Sequence, residues 1–342
     1  MLLWSKGEWL LDQLLGAVVT ITFSDIEQAH HRIKHLVVKT PLLNSPRLDT
    51  IAGRRLWLKA EPLQITGSFK FRGACSAISA LSEEALARGV IAYSSGNHAQ
   101  GVSLAASIFK TKATIIMPHD APDNKVANTR RYGAEVIQYR RGEESREAIG
   151  ARLASERGLT LIKPYDDPNV IAGQGTVGLE LAEQIVTQGL STTAVLCCCG
   201  GGGLSAGIAT ALEATLPKVI LQTVEPKHFD DTARSLALGH RVANRAEQGS
   251  ICDAIVTPTP GELTFPILQS LAGAGLAVSD DEVLQAMFHA FDTLKIVVEP
   301  GGAVALAAAL FSDHLPDCED LVIVLSGGNV DPRLFKKALV AT

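Results

Sequence analysis

No stretch of this 342-residue chain is strongly basic, and none is apolar for long enough to span a bilayer. The first absence removes the footprint of a nucleic-acid binder. Thirty-one Lys and Arg stand against 36 Asp and Glu, a net charge of −5. The second removes a membrane anchor, which needs ~20 consecutive apolar residues. Residues Met1–Thr20 are interrupted by Lys6, Glu8 and Asp12 and lack the features of a secretory signal. They read as a loosely attached extension or a misplaced translation start. The fold is expected to begin near Ser24, where Ser24-Asp25-Ile26-Glu27 resembles a helix-opening cap.

Cysteine is also too sparse for a disulfide framework, with six in a chain of this length. Three of them, Cys197, Cys198 and Cys199, are consecutive. On an extended strand they point to alternate faces and cannot converge on one metal. Buried strand positions in a reduced, cytoplasmic protein are expected. Internal repeats, low-complexity tracts and long linkers are lacking as well.

What is there is a globular composition, 46% apolar and 20% charged, in a chain long enough for two lobes. Short apolar runs alternate with helical stretches. Expected strands are Arg55–Lys59, Val90–Ser94, Ala113–Met117, Glu135–Tyr139, Thr160–Ile162, Ala194–Cys199, Val219–Val224 and Leu321–Leu325. Helical segments include Gly73–Arg88, His98–Phe109, Asn124–Tyr132 and Arg146–Arg157. That alternation predicts an α/β fold with parallel-type sheets flanked by helices. Residues 83–163 carry their own strand–helix units and are expected to form a small inserted lobe. Residues 1–82 and 164–342 would then build the large lobe.

Three segments carry chemistry. In Thr66-Gly67-Ser68-Phe69-Lys70-Phe71-Arg72-Gly73, Lys70 stands between two phenylalanines in a glycine-flanked turn. Aromatic neighbours desolvate an ammonium and lower its pKa, which suits condensation with an aldehyde. The plain alternative is a helix start with a solvated lysine. Gly200-Gly201-Gly202-Gly203 follows an apolar strand and precedes a helix, so its amides can cradle a phosphate. It has neither G-x-G-x-x-G spacing nor a Walker lysine, and alone it could be a flexible turn. Ser94-Ser95-Gly96-Asn97-His98 offers hydroxyls, an amide and backbone donors that can clamp a carboxylate, or simply cap a helix. Loops after strand ends converge on one cleft in open α/β sheets. An aldehyde-bearing phosphate cofactor would use all three.

Together these segments resemble the fold-type II pyridoxal phosphate enzymes, specifically the threonine/serine dehydratase and serine racemase group. Supporting stretches are Val170–Thr176, Val224-Glu225-Pro226, Glu299-Pro300 and Leu325-Ser326-Gly327-Gly328-Asn329. The resemblance runs from about Ile26 to the C-terminus. It implies that Lys70 carries the cofactor covalently and serves as base, with Phe69 packed beside the ring. Asn97 would contact the ring hydroxyl, Ser326 would face the pyridine nitrogen, and Gly200, Gly201, Gly202, Gly203 and Leu204 would bind the phosphate. Ser94, Ser95, Asn97 and His98 would hold the substrate carboxylate, and Arg146 would help close the site. Ser95 stands where racemase-type members place their opposite-face proton carrier. Glu225 and Asp231, with the carbonyl of Phe229, match a divalent-cation site for Mg²⁺ or Ca²⁺, although two surface acids would look the same in sequence.

The implied activity is a dehydratase releasing a 2-oxo acid and ammonia from L-threonine and L-serine. Alternatives are another hydroxy amino acid such as 3-hydroxyaspartate, or racemisation. A homodimer is expected. The chain ends soon after Asn329, so no regulatory domain is expected to follow. Tyr165 stands where relatives carry Asn or Phe, and Cys252-Asp253-Ala254 replaces a more familiar Ala-Asp-Gly. Thr257-Pro258-Thr259-Pro260-Gly261 looks remodelled. These departures bear on which substrate is used.

Overall fold

The computed structural model describes residues 21–121, 123–191, 194–246 and 249–341. The N-terminal extension therefore lies outside the described residues. Two sheets organise the rest. The larger has six strands in the order β1 (Leu42–Asn44), β2 (Arg55–Ala60), β10 (Asp320–Leu325), β7 (Ala194–Cys198), β8 (Ile220–Pro226), β9 (Leu276–Val278). The smaller has four, in the order β5 (Glu135–Tyr139), β4 (Ala113–Pro118), β3 (Val90–Tyr93), β6 (Thr160–Leu161). Every pairing is parallel except β1 with β2.

Parallel sheets need helices on both faces, so their central strands are apolar throughout and not alternating. Both β4 and β10 are buried along their whole length. Helix 168–188 is the longest, opened by the Asp167 side chain accepting from the Val170 amide and closed by left-handed Gly189. It packs on helices 203–215 and 70–79, which bear the glycine loop and Lys70 at their starts. The long helix thus fixes the glycine loop and the Lys70 turn against one another. Among the described residues, no helix is long and apolar enough to cross a membrane.

Several elements differ from expectation for local reasons. The stretch 73–88 forms two helices, Lys70–Ser79 and Glu83–Arg88. Ser82 accepts from the Ala85 amide and starts the second, a hydroxyl cap hidden inside a helical pattern. The first helix of the described residues opens at Thr22, not Ser24, through a reciprocal box in which Asp25 answers the Thr22 amide. Strands β1 and β9 are only three residues long, too short to leave a periodic signal. Of the six cysteines, five are buried and Cys318 is half-buried; all are free thiols.

Candidate active site

A cleft of about 610 Å³ opens at the carboxyl ends of strands from both sheets. Phe69, Lys70, Ser94, Ser95, Asn97, His98, Arg146, Gly200, Gly201, Gly202, Gly203, Leu204 and Ser326 all line it. They come from five separate stretches of chain. Glu225, Phe229 and Asp231 are not among its lining residues; Glu225 is the penultimate residue of β8, and Phe229 and Asp231 follow its end.

Lys70 begins helix 70–79, and its ammonium donates to the Pro164 carbonyl at 2.7 Å, 5.1 Å from the Phe69 ring centre. Desolvation pushes its pKa down to about 8, with Cys198 and Glu299 opposing the shift. An amine with that pKa is available to an aldehyde near neutral pH. The Phe69 amide donates to the Ser326 carbonyl at 3.1 Å, tying the lysine turn to the end of β10.

The glycine loop leaves β7 and enters helix 203–215. Gly202 has φ +90°, in the left-handed region open to glycine, and a methyl there would meet Thr264 Oγ1 at 2.8 Å. A side chain on Gly201 would strike the Tyr165 ring. The Gly201 carbonyl turns outward to accept from Thr264 Oγ1 at 2.6 Å. That leaves the loop free to present amides inward, beside the positive end of a helix dipole.

Asn97 opens helix 97–108 and donates to Glu299 Oε1 at 2.5 Å; its own Oδ1 accepts from Asn329 Nδ2 at 2.8 Å. Burial pushes the Glu299 carboxyl up to about 7, although the Asn97 hydrogen bond pulls the other way. Ser94 Oγ accepts from the Gly96 amide, bracing the turn. His98 is buried, its Nε2 is 2.9 Å from the Ile162 carbonyl, and burial drives its pKa to about 3. It is a neutral ring at neutral pH. Arg146, at the start of helix 146–157, lies over the Tyr93 ring at 5.5 Å and pairs with Glu147 at 2.7 Å.

Glu225 and Asp231 are fully buried. Glu225 accepts the Thr232 and Ala233 amides at 3.0 and 2.7 Å, capping helix 231–238. Burial, then the Asp231 charge, raises the Glu225 carboxyl; burial pushes Asp231 up to about 6. Asp231 Oδ2 is buried without a partner. Among the described residues, no cluster of three or more His, Cys, Asp or Glu side chains is arranged to hold a metal. This pair has only two.

Other lining residues escaped the sequence reading. Cys198 points into the cleft while Cys199 packs against Thr232, 3.4 Å away. Strand parity and the position at a strand end were the available signal. Lys125 reaches Asp253 at 3.7 Å across the cleft, and Asp166 anchors the facing loop through the Leu263 amide at 2.8 Å. Asp253 belongs to the 252–254 stretch already singled out, whereas Lys125 and Asp166 have no local sequence signature.

Two open α/β sheets, a glycine-cradled helix start and a desolvated lysine facing one cleft define a fold-type II pyridoxal phosphate enzyme. Comparison with known proteins agrees: the family described as pyridoxal-phosphate dependent enzymes matches residues 33–327, and the chain belongs to it. Serine racemase of Arabidopsis thaliana is 41% identical over 311 residues, covering 90% of this chain and 92% of that protein. L-threo-3-hydroxyaspartate ammonia-lyase of Saccharomyces cerevisiae is 42% identical over 318 residues, covering 93% and 96%. The processed form of threonine deaminase isoform 2 from Solanum lycopersicum superposes with a TM-score of 0.86 at 32% identity, covering 99% of this chain and 94% of that one. The relatives are ammonia-lyases and racemases of amino acids, and this chain is of that general type.

Proposed function

We propose that the protein is an ammonia-lyase for L-threonine, and also for L-serine, using pyridoxal phosphate bound at Lys70. The observation that carries this reading is Lys70 itself, desolvated to a pKa of about 8 and facing the glycine loop across the cleft. The residues fit the group: a phosphate at Gly200–Leu204, an aldehyde at the Lys70 amine, and the ring between Phe69 and Ser326. Bound there, the cofactor supplies an electron sink for the substrate's α-carbon.

Lys70, when free as an amine, takes the proton from that carbon. Ser94, Ser95 and Asn97 hold the substrate carboxylate at the start of helix 97–108, where the dipole favours an anion. His98, neutral and bonded to the Ile162 carbonyl, orients that turn through its backbone. Ser95, where racemase-type members place their opposite-face proton carrier, would offer a second proton carrier and with it racemisation as a side activity. Ser326 would offer a hydroxyl, not a carboxylate, to the ring nitrogen, which would favour loss of the β-hydroxyl over transamination. Residues 83–163, bearing Arg146, would close over bound substrate as the small lobe.

A second reading, a dicarboxylic substrate such as 3-hydroxyaspartate, draws support from Lys125, Arg146 and Arg241 along the cleft. Each of those cations already faces a carboxylate: Asp253, Glu147 and Glu262 respectively. A second substrate carboxylate would compete with one of these partners, so threonine is placed first.

The buried pair Glu225 and Asp231, with the Phe229 carbonyl, suits a hard oxygen-seeking ion such as Mg²⁺ or Ca²⁺. The orphaned Asp231 Oδ2 supports that assignment. The purified holoenzyme, offered a panel of hydroxy amino acids, should release 2-oxo acid and ammonia fastest from L-threonine. A higher kcat/KM for L-threo-3-hydroxyaspartate, or D-serine as the main product from L-serine, would overturn the assignment.

A further inference from the structure

One side chain lies between the buried acidic pair and the cleft, with every polar atom in use. Asn244 Nδ2 donates to Asp231 Oδ1 at 2.5 Å and to the Thr257 carbonyl at 2.8 Å. Its Oδ1 accepts from Arg234 Nη2 at 2.8 Å, and its backbone amide donates to the Pro258 carbonyl at 2.8 Å. Thr257 and Pro258 begin the stretch to Gly261 that forms one wall of the cleft. The other end of that wall is held by Arg241 Nε on the Pro260 carbonyl and by Asp166 on the Leu263 amide.

An amide has two N–H donors, and here one goes to the acidic pair and one to the wall. Asp231 and the Thr257 carbonyl are therefore linked through a single side chain. Asp231 Oδ2 is buried and unpartnered, so a cation can take that oxygen while Oδ1 keeps Asn244. Thr257 Oγ1 is also buried without a partner, so the wall gets its fixation here from its backbone carbonyl. We infer that Asn244 couples the acidic pair to the substrate pocket: a divalent cation held by Glu225 and Asp231 steadies the 257–261 wall through this amide. Asn244 touches neither substrate nor cofactor and is a positioning residue. The inference rests on the ion and substrate readings above.

The test compares the holoenzyme with its Asn244→Ala and Asn244→Ser variants, in calcium chloride and in EDTA. In the parent, calcium should raise the melting temperature and slow amide exchange at Thr257, Thr259 and Gly261. It should also lower KM for L-threonine by at least about fivefold, with less change in kcat. In the variants the melting shift should persist while the exchange and KM responses are lost. An equal wall response in variants and parent would overturn the coupling. So would a parent whose melting temperature rises with calcium while its wall exchange stays unchanged. That last comparison needs no variant, so a poorly folding substitution does not leave the question open. A parent insensitive to calcium in every measurement removes both ion and coupling. Intact wall responses with no turnover of threonine would instead remove only the substrate assignment.

Discussion

The Lys70 ammonium sits 2.7 Å from the Pro164 carbonyl, 94 residues further along the chain. Pro164 lies between β6 of the small sheet and the long helix 168–188 of the large one. The same short segment continues through Tyr165, which covers Gly201, to Asp166, which holds the 261–263 turn. Lysine, glycine loop and pocket wall therefore meet at the junction of the two sheets. Movement of one sheet against the other would be felt at all three.

The first prediction concerns that amine. Its pKa of about 8 lies below the ordinary lysine value because burial penalises the charged form. Only the neutral amine attacks an aldehyde. The rate of pyridoxal phosphate uptake by apoprotein should therefore rise about tenfold per pH unit below pH 8 and level off above it. Stopped-flow absorbance of imine formation reads this directly. A rate still climbing at pH 10 would mean an unperturbed lysine. Lys70→Ala should lose the borohydride-sensitive visible band and turnover together.

Gly202→Ala tests the phosphate cradle. The substitution places an L-residue at φ +90° and a methyl 2.8 Å from Thr264 Oγ1. Left-handed strain costs about 1–3 kcal/mol, relieved by turning the loop amides away from the phosphate. Cofactor affinity should fall about 10- to 100-fold, measured by fluorescence titration of apoprotein. The fold should be intact by circular dichroism. Unchanged affinity would place the phosphate elsewhere.

The sequence carried much of this because its chemistry is local. Lys70 with its phenylalanines, the four glycines after an apolar strand, and Ser94–His98 before a helix each announce themselves within a few residues. Most central strands were legible because buried parallel strands are continuous apolar runs. What escaped depends on partners distant in sequence. Glu299 is an acid before a proline until Asn97, 202 residues away, is placed against it. Asn244 is unremarkable until Asp231 and the Thr257 carbonyl converge on its amide. Arg72 likewise looks like a solvated helix cation, yet it is fully buried.

Arg72 supports a stability prediction. Its guanidinium forks onto both oxygens of Glu61, at 2.9 and 2.8 Å, and onto both of Glu180, at 2.7 and 2.9 Å. Lys59 meets Glu180 at 2.6 Å, so two cations balance two anions in the interior. Arg72→Ala would leave buried carboxylates short of one cation. Removing one partner of a buried pair costs about 3–5 kcal/mol. The variant's urea midpoint should fall sharply, while Arg47→Ala, removing an exposed cation paired with Asp292, should change stability by under ~1 kcal/mol. Equal effects at the two sites would show that the interior network contributes little.

Large apolar side chains left on the surface give a test of assembly. Leu63, Ile65 and Val297 are 49%, 47% and 39% exposed. Pro62, the chain neighbour of Leu63, and the Val297 carbonyl both approach Gly328, which brings the 62–65 and 297 segments to one region. Burying that patch against a second copy would remove it from water, which favours a homodimer through the larger sheet's lobe. Light scattering should give twice the 36.2 kDa chain mass. Leu63→Glu with Ile65→Glu should shift the protein toward monomer; a monomeric parent would end the proposal.

Glu299 gives the last prediction, and its sign is fixed by linkage. Its folded pKa of about 7 lies above the ordinary carboxylate value, chiefly through burial. Between those two values the folded state binds more protons than the unfolded one, so this group's contribution to stability falls as pH rises. The fall should be nearly complete by about pH 8 and amount to no more than about 3.5 kcal/mol. Glu299→Gln keeps an oxygen to accept from Asn97 but cannot ionise. Its melting temperature relative to the parent should therefore climb between pH 5 and pH 8 and then hold level. A difference that stays flat across that range would mean Glu299 is ionised throughout. A difference that instead fell between about pH 3 and pH 4.5, and was flat above, would mean the buried carboxylate is stabilised by its neighbours, with Lys125 and Lys70 outweighing the loss of water around it.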